Sequence, residues 1–136
     1  MLKVYLAGGF RSSWQDTVIQ EVNGLVFFDP RAHALSEKTE YTLWDLEAIR
    51  NCDILFGYFE ADNPGGFALA LEVGFAKALG KRIIFVDEKS RSDDQMKHYL
   101  GMVHAVSDTV IDDLEQGIAL LRSFALLTKS SHTESQ

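Results

Sequence analysis

Residues 53–88 read DILFGYFEADNPGGFALALEVGFAKALGKRIIFVDE, and the interpretation of this stretch decides the fold. Two apolar runs at its ends, DILFGYF (53–59) and RIIFVDE (82–88), have the composition of strands buried on both faces. Between them a loop with Pro64, Gly65 and Gly66 leads into the apolar stretch 67–79, long enough for a helix of about three turns. Gly80 stands where a helix commonly ends in a left-handed residue. Strand, crossover helix and strand together imply two parallel neighbours in one sheet.

One residue conflicts with this stretch. At helical spacing the neighbours of Glu72 are Ala68, Leu69, Phe75 and Ala76, so its carboxylate shares a face with groups that leave water. Burying an unpaired carboxylate costs several kcal/mol or forces it to take up a proton. A functional role is one reason to keep it there. Gly74 costs the same helix about 1 kcal/mol relative to alanine, and close packing or ligand approach is the expected cause.

The alternation continues outward. LKVYLAG (2–8) reads as a strand, Ser12 or Ser13 offers an N-cap with Gln15 or Asp16 three positions on, and Trp14, Val18 and Val22 recur at helical spacing up to Gly24. LVFFDP (25–30) is a second strand stopped by Pro30, and a helix follows from near Tyr41 to Asn51. A weaker fifth strand is expected in Met102–Val106 or slightly later, and a final helix over about Ile111–Phe124 with Ile111, Leu114, Ile118 and Leu121 facing inward. The expectation is an α/β protein: a flavodoxin/Rossmann-like three-layer sandwich around a mostly parallel five-stranded sheet. Residues 1–126 form a single domain in this reading, and the polar, aperiodic residues 127–136 form a disordered tail.

Bulk properties exclude several classes. The 136 residues carry a net charge of −7, which opposes a nucleic acid polymer as partner. No apolar run approaches the roughly 20 residues that span a bilayer, and the apolar part of MLKVYLAGG is too short for a signal peptide. A cytoplasmic protein with no membrane partner is expected. Cys52 alone builds no disulfide framework. His33, His98, His104 and His132 are scattered without the i, i+4 pairing of a metal site, so no metal is expected. The turn after the first strand lacks both the G-x-G-x-x-G spacing and a P-loop lysine, which leaves NAD and ATP unsupported and no cofactor expected.

In such a sheet, ligands bind beyond the carboxyl ends of the strands where strand order reverses. Three segments converge there: AGGFRSS (7–13), DPRAH (29–33) and EADNPGG (60–66). Gly8 and Gly9 permit close approach of a ligand, while Arg11, Ser12 and Ser13 at a helix start suit an anion or a sugar. Asp29, Asp62, Asn63 and Gly66 are the further candidate contacts on that edge.

KVYLAGGF (3–10), DLEAIRNCDILFGYF (45–59) and ALEVGFAKALGKRIIFV (70–86) resemble the nucleoside 2-deoxyribosyltransferase family and its relatives, the deoxynucleoside 5'-monophosphate N-glycosidases. The pattern E-x-G-x-A-x-x-x-G-K from Glu72 to Lys81, after D-x-x-x-I-x-x-x-D from Asp45 to Asp53, carries the likeness. The resemblance implies that Glu72 is the nucleophile that attacks the anomeric carbon of deoxyribose, giving a covalent glycosyl-enzyme and overall retention. It implies that Tyr5 orients Glu72, that Asp45 lies near the sugar and leaving base, and that Phe10 stacks on the base, with Trp14 or Trp44 capable of similar work. It further implies a homodimer in which a neighbouring subunit completes the sugar site from the region of Asp94 to Gly101.

Two departures qualify the likeness. The aspartate that transferases carry six positions before the nucleophile is Gly66 here, leaving Asp62 and Asn63 as the nearest substitutes for handling the base. GGFRSSWQD (8–16) is similar to the G-x-x-R-x-x-x-x-D turn of the monophosphate N-glycosidases, which would give Arg11, Ser12 and Ser13 a phosphate. The implied activity is N-glycosidic cleavage of 2'-deoxyribonucleosides with transfer of deoxyribose to another purine or pyrimidine base, as in salvage. Hydrolysis of deoxynucleoside 5'-monophosphates is the alternative, and a nucleotide-binding sensor without turnover is the alternative outside enzymes.

Overall fold

The computed structural model describes residues 1–134. Its strands are β1 (Lys3–Gly8), β2 (Val26–Phe28), β3 (Ile54–Phe59), β4 (Arg82–Asp87) and β5 (Thr109–Ile111). Its helices are α1 (Trp14–Glu21), α2 (Lys38–Asn51), α3 (Phe67–Ala78), α4 (Asp94–Tyr99), α5 (Gly101–Val106) and α6 (Leu114–Glu134), with 3-10 turns at Pro30–His33 and Lys89–Arg91. Every strand pair is parallel, and the order is β2-β1-β3-β4-β5, the flavodoxin arrangement. Order reverses between β1 and β3, so the ligand-binding crevice of such a fold opens at their carboxyl ends.

Alternation of side chains along the strands divides the core in two. Val4, Leu6, Phe56, Tyr58, Ile84 and Val86 face Trp14, Val18, Ile118 and Leu121 of α1 and α6. Tyr5, Ala7, Leu55, Phe59, Ile83 and Phe85 face Ile49, Leu69, Val73, Ala76 and Val103 of α2, α3 and α5. With both faces covered, every residue of β3 is buried, which is why the run reads as continuously apolar. Each large side chain buried in this way contributes about 1.5–3 kcal/mol before entropy is counted.

Helix α3 is fixed at its end by Gly80, at φ 74°. The Gly80 N–H donates to the Lys77 carbonyl and the Lys81 N–H to that of Ala76, the paired bonds of a Schellman motif. Gly8, at φ 151°, ends β1 where a Cβ would lie 2.5 Å from the Tyr58 carbonyl oxygen, so no other residue fits there.

Of the two positions expected for the fifth strand the structure takes the later one, and three other expectations differ from it. Residues 101–106 form α5, and the fifth strand is Thr109–Ile111, where three consecutive β-branched residues follow an Asp108 clasped to Ile83 by bonds in both directions. Ile111 therefore belongs to β5, and α6 starts at Leu114 behind Asp113, whose carboxylate accepts the Glu115 N–H. At its other end α6 continues through residues 127–134, where a disordered tail is expected, because no glycine or proline follows Gly117 to stop it. Ser135 and Gln136 lie outside the described residues. A Cβ on Gly74 would meet nothing within 4 Å, so tight packing within this chain does not explain that glycine. No helix among the described residues is long and apolar enough to cross a membrane.

Candidate active site

Tyr5 and Glu72 meet on the α2/α3 side of the sheet. Tyr5 is fully buried in β1, and its hydroxyl donates to Glu72 Oε2 across from α3. Burial, then the charge of Glu72 and the hydrogen bond to it, raise the Tyr5 hydroxyl far above its ordinary range, so it remains a donor at every physiological pH. Glu72 is half-buried, one turn beyond Leu69 and one before Ala76, both in the core. Its pKa is pushed up to about 7, mainly by burial; the Tyr5 bond pulls the other way and the nearby Asp45 charge adds to the rise. The cost anticipated for a carboxylate on an apolar face is thus met in part by one strong donor.

Asp45, on α2, is the second acid of the site, and burial raises its pKa against a hydrogen bond from His33. His33 Nδ1 accepts the Leu35 N–H at 2.9 Å, which leaves the proton on Nε2 to be donated to Asp45 Oδ1 at 3.2 Å. The ring of His33 stands edge-on to Trp44 at 4.8 Å between centroids. Ala34, at φ 52°, turns the chain after the Pro30–His33 turn and lets His33 fold back. Trp44 is partly buried against the core, and Trp14 is buried with its indole N–H donated to the Gly9 carbonyl. Phe10 is 59% exposed at the rim, the one of these three aromatic side chains free to lie on a ligand.

The turn after β1 faces the loop after β3 almost residue for residue. Ser12 donates its hydroxyl to Glu60 Oε1 at 2.8 Å, and Glu60 is 5% exposed. Arg11 Nε lies 3.9 Å from Asp62 Oδ1, both exposed. A Cβ on Gly9 would come within 3.1 Å of Asn63 Nδ2, so the Asn63 amide rests on the turn, while its Oδ1 accepts the Gly65 N–H. Ser13 caps α1 by position without a side-chain bond. Asp29 is turned toward Arg31, accepting from its backbone N–H and its guanidinium, and Arg31 also reaches Asp16 at 2.7 Å. Gly66 caps α3, and a Cβ there would fall 2.5 Å from Phe59 Cε2, so the aspartate of the transferases has no room beside this ring.

Tyr5, Glu72 and Asp45 are therefore together on one face, while Arg11, Ser12, Asp62 and Asn63 gather at the turn. His33 and Glu60 are the side chains that sequence reasoning passed over. The signal for His33 was present in the DPRAH segment at the strand end, and that for Glu60 was its place directly after a fully buried strand.

Fold and geometry define a class: a flavodoxin-ordered α/β protein with an oriented, poorly solvated carboxylate beside the ligand-binding edge of its sheet. A family profile described as "Nucleoside 2-deoxyribosyltransferase like" matches residues 1–90, and the chain belongs to that family, as a deoxyribosyltransferase-like enzyme. Among solved structures, a conserved protein from Enterococcus faecalis V583 superposes with a TM-score of 0.68 at 17% identity, over 90% of this chain and 98% of that one. The 2-deoxyribosyltransferase of Bacillus psychrosaccharolyticus gives 0.66 at 24% identity over 85% and 90%, and the CMP N-glycosidase of Clostridium botulinum 0.59 at 21% over 90% and 98%. At these identities the likeness establishes the fold. No curated protein matches the sequence.

Proposed function

We propose that the protein cleaves the N-glycosidic bond of 2'-deoxyribonucleosides through Glu72 and passes the deoxyribose to a second nucleobase. The observation that carries this reading is the bond from the Tyr5 hydroxyl to Glu72 Oε2, which orients a carboxylate kept short of water. Glu72 Oε1 attacks C1' as the C1'–N bond breaks, and the bonding pair leaves on the base nitrogen. Asp45, with its raised proton affinity, supplies the proton that the departing base takes up. In the second half a nitrogen of the incoming base attacks C1' and gives its proton back to Asp45, the C1'–O bonding pair returns to Glu72, and two inversions give retention. His33 holds Asp45 in place through its Nε2–H.

Chromatography of the protein with deoxyinosine and free adenine tests the reading. New deoxyadenosine is expected from the wild type and none from Glu72→Ala; a Glu72→Ala protein that keeps most of the activity overturns it. Free base released from deoxynucleoside 5'-monophosphates without any transfer would move the assignment to the hydrolase, for which Arg11, Ser12 and Ser13 are the supporting residues.

We also infer a homodimer. Phe67 and Leu71, 90% and 60% exposed, lie one turn apart on α3, and Gly74 continues that face with open space above it. A second copy seated there would cover apolar surface directly behind the nucleophile's helix.

A further inference from the structure

We propose that Glu60 makes the turn after β1 a reader of a free 5'-hydroxyl and a barrier to a 5'-phosphate, so that the substrate is the nucleoside and not its monophosphate. This rests on the reading of Glu72 above and specifies the substrate of the same site. A serine hydroxyl has one proton, and that of Ser12 is given to Glu60 Oε1 at 2.8 Å. What Ser12 Oγ then offers to the crevice is lone pairs. A hydroxyl can donate to them; a phosphate oxygen, which needs a donor, cannot use them.

The charge acts in the same direction. Glu60 is 5% exposed, so little water lies between its carboxylate and an anion entering at the turn. Arg11, the cation that a phosphate would call on, already stands 3.9 Å from Asp62. The Trp14 and Gln15 side-chain N–H groups are both committed to the Gly9 carbonyl, at 2.9 and 3.1 Å. The Gln15 Oε1 atom, fully buried and without a partner among the described residues, is a further acceptor beneath the turn. In the turn that looks from its sequence like a phosphate cradle, the side chains of Ser12, Trp14 and Gln15 donate within the chain, which leaves Ser13, without a side-chain bond, as its uncommitted hydroxyl.

Glu60→Gln is close to isosteric and reverses the arrangement. The glutamine amide donates to Ser12 Oγ, the Ser12 proton turns outward, and the buried negative charge is gone. The measurement is kcat/KM for base release from deoxyadenosine and from its 5'-monophosphate, on wild type and variant. The expected result is a wild-type preference for the nucleoside of at least about 10-fold, a difference of about 1.4 kcal/mol, which Glu60→Gln narrows by a similar factor. Inorganic phosphate is expected to inhibit the variant and to leave the wild type unaffected.

A wild type that releases base from the monophosphate as efficiently as from the nucleoside overturns the proposal without touching the role of Glu72, and needs no variant. A selectivity unchanged in a folded Glu60→Gln protein also overturns it. Absence of base release from both substrates by folded wild type would instead sink the Glu72 reading, and this inference with it. Asp62→Asn, at an exposed position, serves as the second variant and is expected to relax selectivity less than Glu60→Gln.

Discussion

Replacing Glu72 by glutamine removes a charge while keeping the shape of the side chain and an oxygen to accept the Tyr5 hydroxyl, and its effect on stability can be worked from the site. Folding raises the Glu72 pKa from 4.5 to about 7. Between those values the folded protein binds more protons than the unfolded chain, so the contribution of this group to stability falls as pH rises through the window. Above pH 7 the loss is complete. About 2.5 pH units at 1.36 kcal/mol each amount to roughly 3 kcal/mol, the stability given up to keep this carboxylate ionised beside Leu69 and Ala76. Glutamine does not titrate, and the linkage of Asp45 largely cancels between the two proteins. Urea unfolding at pH 5 and at pH 8 should therefore give a variant more stable by under about 1 kcal/mol at the lower pH and by up to about 3 kcal/mol at the higher one. With m near 1–3 kcal/mol/M, the midpoint gap at pH 8 is roughly 1–3 M. The same variant should release no base. Parallel stability curves at the two pH values, or a wild type more stable than the variant at pH 8, would refute the claim that Glu72 is held against its desolvation cost.

Three further outcomes follow from named contacts. Tyr5→Phe removes a bond that lowers the Glu72 pKa, and a bond to a charged group is worth about 1.5–3 kcal/mol, so the acid limb of kcat/KM should move up by roughly one to two pH units. Activity recovered at high pH supports this, whereas a loss that is flat across pH assigns Tyr5 another role. Gly66→Ala places a Cβ about 2.5 Å from Phe59 and should destabilise by roughly 1–3 kcal/mol in thermal or urea unfolding; a neutral effect would mean that the Phe59 ring moves freely. Leu71→Glu puts a charge on the outer face of α3 and should shift the mass measured by light scattering from dimer to monomer, with the monomer still folded. A dimer that survives the change places its interface elsewhere.

How much was legible in the sequence depended on what signal each element carried. β3, α3 and β4 were readable because the strands are buried on both faces and the helix ends at a glycine whose φ of 74° suits its position. β5 was hard to place because it has three residues, one of them Val110 at 41% exposure, while Met102–Val106, with β-branched Val103 and Val106, is helical. Local composition does not separate these two; the bonds between Asp108 and Ile83 that align β5 with β4 are long-range. Glu72 stood out because it broke a pattern, and Tyr5 through the family resemblance. His33 did not, because its partner Asp45 is 12 positions away and is brought near by a left-handed residue at Ala34, whereas a search for pairs looks three or four positions along a helix. Glu60 was hidden differently. Its neighbours Asp62 and Asn63 marked the loop as polar, and only the fold reveals that this one acid is turned inward under the β1 turn.

The two halves of the candidate site lie on opposite faces of one sheet, and this has a consequence for the ligand. Tyr5 projects into the core shared with α2 and α3, while Ser12 leads into α1 on the other side. A molecule that touches both Glu72 and Ser12 must therefore cross the carboxyl edge of the sheet at β1 and β3, where the strand order reverses. At that crossing stands Gly8, with the Tyr58 carbonyl 2.5 Å from where a side chain would begin. The Tyr58 carbonyl and the Trp14 ring fill the place of that side chain, so Gly8 lets the chain itself close up there, and in the proposed reading the sugar passes over this edge with its C1' toward Glu72 and its 5' end toward Ser12. On this geometry the chemistry and the choice of 5' substituent reside in different elements, so selectivity can change at Glu60 while the Tyr5 and Glu72 pair is left intact.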